Sequence, residues 1–295
     1  MKAKTADKLA TSIIVAVAAF IVLILAGLLG YILFRGLGHI SFDFLTSAPE
    51  TIRKGGGIGP QLFNSIFLLV LTMIITIPIG LGAGIYMSEY APPNRITNSI
   101  RLIVEVLSSV PSIIVGLFGL LILVNMFGLG FSLFSGALAL TVFNLPLMVR
   151  ITEQALKGVP REQKEASLAL GLSKWKTITS VMLPIALPVI LTGTILAAGR
   201  VFGEAAALLF TAGMSSPRLD FTDWNPFSPF SPLNPFRPAE TLAVHIWKIN
   251  SEGLAPDAAQ IAAGASAVLV ITVLLFNFAA RWLGRYMHRK FTAIK

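Results

Sequence analysis

The sequence lacks cysteine and has little charge. None of its 295 residues is cysteine, which excludes disulfide bonds, cysteine-based zinc sites and thiolate catalysis. Charged residues make up 13% of the chain, against about a quarter of an ordinary soluble domain. The three histidines, His39, His245 and His288, are scattered and show no metal-site spacing. We therefore expect no metal, no other cofactor and no enzymatic activity.

A phosphate-binding loop is also missing. The glycines at positions 55–57 are not followed by the Gly-Lys-Ser/Thr of such a loop. We therefore expect this chain not to bind ATP by itself.

Long apolar runs take the place of charge. Hydrophobic residues make up 55% of the chain, and a run of about 20 is long enough to cross a membrane as a helix. The sequence predicts an all-α integral membrane protein with one transmembrane domain over residues 1–295. The first run is too long for a cleaved signal core, so we expect it to be retained. The six predicted spans are Thr11–Phe34, Gln61–Glu89, Ile100–Phe127, Phe131–Val149, Val181–Ala212 and Gln260–Trp282.

The positive charges predict the orientation. Most of the 23 lysines and arginines lie near the two termini and in the loop of residues 150–180, and such segments face the cytoplasm. We count Arg53 among the few outside charges and Lys295 among the inside ones. Both termini are therefore predicted to be cytoplasmic. In a soluble protein the net charge of +9 would suggest nucleic acid; here topology explains it, so we expect contact with membrane lipid and not with nucleic acid.

Residues 213–259 form the longest predicted outside loop. Within it five prolines recur every third residue: Pro226, Pro229, Pro232, Pro235 and Pro238. A polyproline II helix has three residues per turn, so we expect that conformation. Such a segment either forms a strut that contacts a partner or lies on the membrane or on the protein's own helices. It is followed by a predicted interfacial helix, Ala239–Asn250, on which we expect His245 to be exposed.

The inside loop predicts two short helices joined by a glycine. Pro160 suits a helix start, Gly171 suits the position after a helix end, and Ser173–Ser180 continues into the fifth span. A charged cytoplasmic elbow of this kind can dock on another protein, or it can be an ordinary amphipathic loop.

The elbow resembles the EAA loop of bacterial ABC importer permeases. Glu165-Ala166-Ser167 is followed at the family spacing by Gly171, Val181 and Leu183-Pro184, with Ser167 and Val181 in place of alanine and isoleucine. In that family the loop docks on the ATPase, and the resemblance implies this role for Glu165, Ala166 and Gly171. It also implies a type I (MetI-like) permease fold in the bacterial inner membrane, a sister permease, a cytoplasmic ATP-binding subunit dimer and an extracytoplasmic binding protein.

Two further segments look like those of permeases of the phosphate-specific transport (Pst) family. They are Ser109–Gly119 and Arg200–Thr211. The length resembles that of the shorter of the two paired Pst permeases. The resemblance implies phosphate as the substrate and a phosphate-binding protein as the partner.

Arg200 is the unusual residue of the fifth span. A central arginine costs about 2.5–3.5 kcal/mol on insertion scales, and we expect Glu204 on the same helix face to offset part of that cost. Guanidinium groups bind phosphate well, so both residues are candidates for the substrate pathway. The alternative is a purely structural ion pair. We likewise expect an Arg101–Glu105 pair in the third span.

Two other functions remain open on these residues. One is transport of another oxyanion, such as sulfate or molybdate, since the EAA-like loop does not specify the anion. The other is a membrane scaffold or sensor subunit that signals phosphate status. Dependence of uptake on Arg200 would distinguish a transporter from a scaffold.

Overall fold

The structure, a computed structural model, describes residues 2–50, 54–253 and 255–292, without the side chains of residues 2, 3 and 288–292. Arg53 and Lys295, used above to predict orientation, lie outside the described residues. The described part is helical and contains no strand, which confirms the all-α prediction. Its helices are α1 (Lys2–Gly36), α2 (Phe42–Thr46), α3 (Gly59–Ile85), α4 (Arg95–Ser109), α5 (Ser112–Gly119), α6 (Leu133–Lys157), α7 (Arg161–Ala169), α8 (Lys174–Thr177), α9 (Leu183–Phe202), α10 (Ala206–Leu209), α11 (Leu242–Glu252) and α12 (Ala258–Thr292).

Three π-helical segments adjoin these helices. Tyr86–Tyr90 continues α3, Leu120–Met126 continues α5, and Ile178–Met182 joins α8 to α9. Five continuous helical stretches of the described residues are long and apolar enough to cross a membrane, and a bent pair adds a sixth if it counts as one span.

The predicted third span, Ile100–Phe127, is bent. The helices Arg95–Ser109 and Ser112–Met126 meet at 98°, so this region is not one continuous helix. Pro111 lacks a backbone N–H and disfavours helical backbone at the residue before it. Val110 is accordingly extended, with φ −65° and ψ 128°.

Two predicted span boundaries also move. α6 continues to Lys157 instead of ending near Val149, which shortens the loop to the elbow. α9 ends at Phe202, ten residues before the predicted end at Ala212, and Gly203 follows it as the cap. Glycine is a poor helix former and a frequent helix end.

The helix starts follow from local chemistry. The side chains of Ser41, Asn94, Ser132 and Ser173 accept hydrogen bonds from backbone N–H groups in the first turns of α2, α4, α6 and α8. These donors have no partner within a helix, and a side-chain cap contributes about 1 kcal/mol.

The core forms where α3, α6, α9, α11 and α12 meet. Its buried side chains include Leu68, Leu140, Phe202, Leu242 and Val268. Gly80 and Gly84, one helical turn apart on α3, allow α3 to lie close against α6. A Cβ at Gly80 would sit 2.6 Å from Cβ of Met148, and one at Gly84 would collide with the Thr152 side chain. Gly80 and Gly84 thus form a G-x-x-x-G spacing of the kind that lets two membrane helices approach closely.

A second apolar cluster lies at one end of the bundle. Ile85, Leu156, Ile178 and Met182 are buried there with neighbouring side chains of α3, α6 and α9. α7 and α8, which together form the elbow (residues 161–177), are attached at this end. We call it the elbow side and the opposite end of α3 the far side.

α1 contacts the rest of the chain little. None of its most apolar 18-residue window is buried, and its close approach is at Gly36, whose missing side chain makes room for Ala263 and Ala267 of α12. Most of α1 is therefore exposed in the isolated chain.

The proline segment is a series of turns and not a polyproline II helix. Backbone N–H groups of Ser228, Ser231 and Asn234 donate to the carbonyls three residues earlier, at 3.0–3.2 Å. Polyproline II has no internal hydrogen bonds, so that prediction is wrong. Each turn begins with a serine or asparagine, residues whose side chains favour turns; Asn234, for example, accepts through Oδ1 from the N–H of Phe236 at 2.8 Å.

Candidate functional site

Arg200 lies in the last turn of α9 and is exposed in the isolated chain. Its guanidinium carbon is 3.8 Å from the ring centroid of Phe143, a buried residue of α6. A cation over an aromatic face is attracted by the ring quadrupole. The ring therefore holds the guanidinium group in place, and the N–H groups at the edge of the guanidinium remain available to an acceptor.

Glu204 does not pair with Arg200. Because α9 ends at Phe202, Glu204 is no longer on the helix face that carries Arg200. Its Oε1 instead accepts a hydrogen bond of 3.3 Å from the N–H of Ala207, at the start of α10. In the part of the chain that the structure describes, Arg200 makes no ion pair. The carboxylate that we expected to offset the cost of placing this charge in a span is therefore missing.

The glycines beside Arg200 do not create a close helix contact. A Cβ at Gly199 would meet only the Asn277 amide nitrogen, at 3.8 Å, and one at Gly203 would meet only backbone of its own chain segment. The second G-x-x-x-G spacing therefore does not pack as Gly80 and Gly84 do.

The structure brings together the two segments that resemble phosphate-specific permeases. A Cβ at Gly116 of α5 would lie 2.8 Å from Cα of Ala207, and one at Gly119 would lie 2.5 Å from a methyl group of Thr211. α5 and α10 thus touch backbone to backbone. The turn that carries Glu204 is held against the helix that follows Pro111.

The elbow has the predicted helix–glycine–helix form. Gly171 has φ +81°, a left-handed conformation that side chains disfavour, and the N–H of Leu172 donates to the carbonyl of Ser167 at 3.3 Å. Glu165 and Ala166 are exposed on α7.

Apolar side chains are exposed beside them. Leu170 is 83% exposed and Trp175 is 58% exposed. The elbow therefore presents both carboxylate and apolar groups outward, as a protein-docking surface does.

The two helices of the elbow are joined to each other, and the face opposite the exposed one is attached to the bundle. The Ser167 hydroxyl donates to that of Thr177 at 3.2 Å, which joins α7 to α8. Lys164 Nζ lies 2.6 Å from Oε2 of Glu89, in the π-segment that ends α3. Lys174 Nζ lies 4.6 Å from the ring centroid of the adjacent Tyr90.

Arg101 pairs with a different carboxylate from the one expected. Its Nε donates to Oε1 of Glu153 on α6 at 3.0 Å, and Lys157 reaches the same oxygen at 2.6 Å. Glu105 is exposed and makes no ion pair within the described residues. The bend at Pro111 lays α4 against α6, so the partner comes from another helix and not from the next turn.

Sequence reasoning missed a buried polar cluster on the far side. Arg237, 2% exposed, donates to Oδ1 of Asn64 at 2.7 Å and to the carbonyls of Ser231 and Pro232 at 3.2 and 3.0 Å. Burial lowers the pKa of Arg237 to about 10, so it remains charged at neutral pH. The bond to Asn64 fastens the proline-rich loop, residues 213–241, to α3, and the two carbonyl bonds hold the loop's own turns together.

Glu240 is the acidic member of this cluster. Its Oε2 accepts from Gln61 of α3 at 2.9 Å and lies 3.2 Å from Nδ1 of His245, and Lys248 is 3.6 Å from Oε1. Burial acts to raise the pKa of Glu240, but its contacts with His245, the hydrogen bond from Gln61 and the nearby Lys248 bring the pKa below its ordinary value. His245 is 5% exposed, so the expectation of a surface histidine is wrong.

Several other polar groups of the spans bond to nearby backbone. Asn144 donates to the carbonyl of Leu140, and Ser108 and Ser109 donate to carbonyls of their own helix. Within the described residues no group of three or more acidic, histidine or cysteine side chains is arranged to hold a metal ion.

Taken together, these features define an integral membrane permease subunit. Residues 76–293 match the family described as binding-protein-dependent transport system inner membrane component, and the chain belongs to this family. It is therefore a non-catalytic, multi-pass component of an ABC importer. Permeases of this family work with separate ATPase subunits, a substrate-binding protein and a partner permease.

Similar proteins include two with substantial coverage. The chain is 60% identical over 293 residues to the probable ABC transporter permease protein YqgI of Bacillus subtilis, covering 99% of this chain and all of that protein. It is 32% identical over 256 residues to the phosphate transport system permease protein PstA of Haemophilus influenzae, covering 87% and 85%.

Solved structures share the fold. The methionine ABC transporter MetNI in inward-facing form matches with a TM-score of 0.60 and 21% identity over 77% of this chain and 94% of that chain. A bacterial alginate ABC transporter matches with a TM-score of 0.67 and 14% identity over 96% of each chain. At these identities the likeness shows the MetI-type permease fold and says nothing about the substrate.

Proposed function

We propose that this chain is the PstA-like permease subunit of an ATP-driven importer of inorganic phosphate. It would form the translocation pathway with a sister permease and work by alternating access. The observation that carries the proposal is Arg200, an exposed arginine in a membrane span without a carboxylate partner among the described residues. Relatives named as phosphate permeases, such as PstA of Haemophilus influenzae, support the choice of anion.

The environment of Arg200 suits an oxyanion. An unpaired cation in a span is costly and generally faces a bundle interior or an aqueous path. Phe143 covers one face of the guanidinium, and the planar N–H fork matches two oxygens of a phosphate. In the proposed complex Arg200 faces the sister permease across the pathway, and Glu204 borders the same path at the turn that follows α9.

The remaining assignments follow from this function. In the proposed arrangement the elbow side and both termini face the cytoplasm of a bacterial cell, with residues 1–295 forming one transmembrane domain in the inner membrane. Glu165, Ala166 and Gly171 contact the ATP-binding subunit dimer. The proline-rich loop faces the extracytoplasmic phosphate-binding protein, and the exposed apolar helices contact lipid or the sister permease.

Uptake of labelled phosphate by vesicles that contain the full complex tests the proposal. We expect Arg200→Ala to lower the uptake rate about 10- to 100-fold, since hydrogen bonds to charged groups contribute about 1.5–3 kcal/mol. Arg200→Lys keeps the charge without the fork and should restore uptake only in part. Arg35→Ala is the matched control. Arg35 is exposed at the end of α1 that lies on the far side, and within the described residues it bonds only to Tyr31.

Each other outcome has a defined meaning. Competition by excess sulfate or molybdate would show that the substrate is another oxyanion and not phosphate. An uptake rate equal to that of the native chain in an assembled Arg200→Ala complex would show that Arg200 is not part of the substrate pathway. A complex that assembles but imports none of these anions would favour the scaffold or sensor function.

A further inference from the structure

The elbow is joined to three membrane helices in two different ways. The chain itself connects it to α6 through residues 158–160 and to α9 through the π-segment Ile178–Met182. α3 has no such covalent link to the elbow. Within the described residues, α3 with its π-segment is bound to the elbow by the Glu89–Lys164 ion pair and by the contact of Lys174 with Tyr90.

The Glu89 carboxylate is well placed for this connection. Its side chain is 5% exposed, against 36% for Lys164, and both carboxylate oxygens have partners. Oε2 lies 2.6 Å from Lys164 Nζ, and Oε1 accepts from the Ser88 hydroxyl at 3.0 Å. Removing one partner of a mostly buried pair leaves a poorly compensated charge, so the pair resists separation.

The elbow moves as one body only if its two helices stay together. The Ser167–Thr177 hydrogen bond joins them, and both side chains are buried, at 5% and 1% exposed. Two lysines, Lys164 from α7 and Lys174 from α8, then hold neighbouring residues of the same π-turn. A displacement of the elbow is therefore applied to the end of α3 at two points.

α3 carries such a displacement across the whole molecule. With its π-segment it is continuous from Gly59 to Tyr90, 32 residues, which is about 48 Å at 1.5 Å per residue. Its opposite end holds the proline-rich loop through the bonds of Gln61 to Glu240 and of Asn64 to Arg237. One continuous helix thus touches the elbow at one end and the far-side loop at the other.

We propose that Glu89 and Lys164 are positioning residues that couple movement of the elbow to α3, and through α3 to the far-side loop. This inference rests on the proposed role of the elbow as the ATPase contact. It does not depend on which anion is transported. Neither residue touches the substrate or the nucleotide; the pair determines how much of the elbow's movement reaches the pathway.

The test measures coupling in the full complex, in vesicles that contain the sister permease, the ATPase dimer and the binding protein. We compare the native chain with Glu89→Gln and Lys164→Met, and measure anion uptake and ATP hydrolysis on the same preparation. We expect each variant to assemble and to hydrolyse ATP, but uptake per ATP to fall about tenfold, within the usual range of coupling energies. Glu105→Gln, an exposed carboxylate on α4 without an ion pair in the described residues, should keep the native ratio.

Two double variants separate coupling from mere structural support. The exchange Glu89→Lys with Lys164→Glu restores the pair in reverse and should recover most of the native ratio. Glu89→Gln with Lys164→Met should lose no more than either single change, because both remove the same interaction.

Several results would overturn the inference. These are a native uptake-to-ATP ratio in both single variants, additive losses in the Glu89→Gln, Lys164→Met chain, or an assembled exchange variant as poorly coupled as the single changes. If the native complex imports an oxyanion other than phosphate, the ratio is measured with that anion. In that case the substrate proposal fails while the coupling proposal is still tested.

Discussion

Replacing Arg237 by methionine tests whether the proline-rich loop is held by its buried cluster. The change keeps much of the side-chain volume but removes every donor. It removes the bonds to Oδ1 of Asn64 and to the carbonyls of Ser231 and Pro232, at 2.7–3.2 Å, and a longer one of 3.5 Å to the carbonyl of Pro238. The Ser231 carbonyl keeps the N–H of Asn234 as a donor. A buried group left unsatisfied costs about 1–3 kcal/mol.

The loss of these hydrogen bonds is partly offset, because methionine costs less to bury than a guanidinium. We therefore expect a net loss of about 3 kcal/mol in the free energy of unfolding, the low end of the range for breaking a buried charged contact. At roughly 2–4 °C per kcal/mol for a chain of this size, the unfolding temperature should fall by about 6–12 °C.

The assay is thermal unfolding of the purified protein in detergent, followed by intrinsic fluorescence, together with limited chymotrypsin digestion. The loop carries exposed Phe221 and Trp224, and its release from α3 should speed cleavage there. Arg218→Met is the matched control, since Arg218 is exposed in the same loop. An unchanged unfolding temperature and cleavage rate in Arg237→Met would refute the reasoning.

Two further predictions concern the far-side carboxylate and the α3–α6 contact. Because the pKa of Glu240 lies below its ordinary value of 4.5, its stabilisation is complete above pH 4.5 and is lost as the pH falls through the folded-state pKa. The unfolding temperature of the native chain should therefore drop below pH 4.5. Glu240→Gln should flatten this drop, whereas a change at the exposed Glu252, Glu252→Gln, should not. The same dependence of unfolding temperature on pH in the two variants would contradict the prediction. Gly84→Val should cost about 1–3 kcal/mol by overpacking against Thr152, whereas Gly82→Val, which meets nothing within 4 Å, should be tolerated; equal unfolding temperatures for the two variants would show that the contact does not limit stability.

Local chemistry explains why the elbow could be predicted in detail. Its features depend on neighbours in the sequence: a proline before a helix, a serine cap, and a glycine that adopts φ +81°. The same is true of the apolar spans, since the need to satisfy every backbone group in lipid makes a long apolar run helical. The predicted start of the second span, Gln61, is two residues from the start of α3 at Gly59.

The failed predictions depend on local competition or on distant partners. The three-residue proline period was assigned to polyproline II, but serine and asparagine before the prolines favour hydrogen-bonded turns. α9 was extended across Gly203, which placed Glu204 on the wrong face. Arg101 was paired with the nearest carboxylate in the sequence, because the bend that brings Glu153 close could not be foreseen.

The sequence by itself determined the class of this protein, most of its membrane helices and the form of its elbow, because apolar runs and capping residues are made of positions that are neighbours in the chain. Only the tertiary structure decided which charges meet. Glu89 pairs with Lys164, which is 75 positions away in the sequence, and Arg237 bonds to Asn64, which is 173 positions away. Such pairs form because helix packing brings distant side chains within hydrogen-bond range, and no local pattern in the chain encodes that proximity.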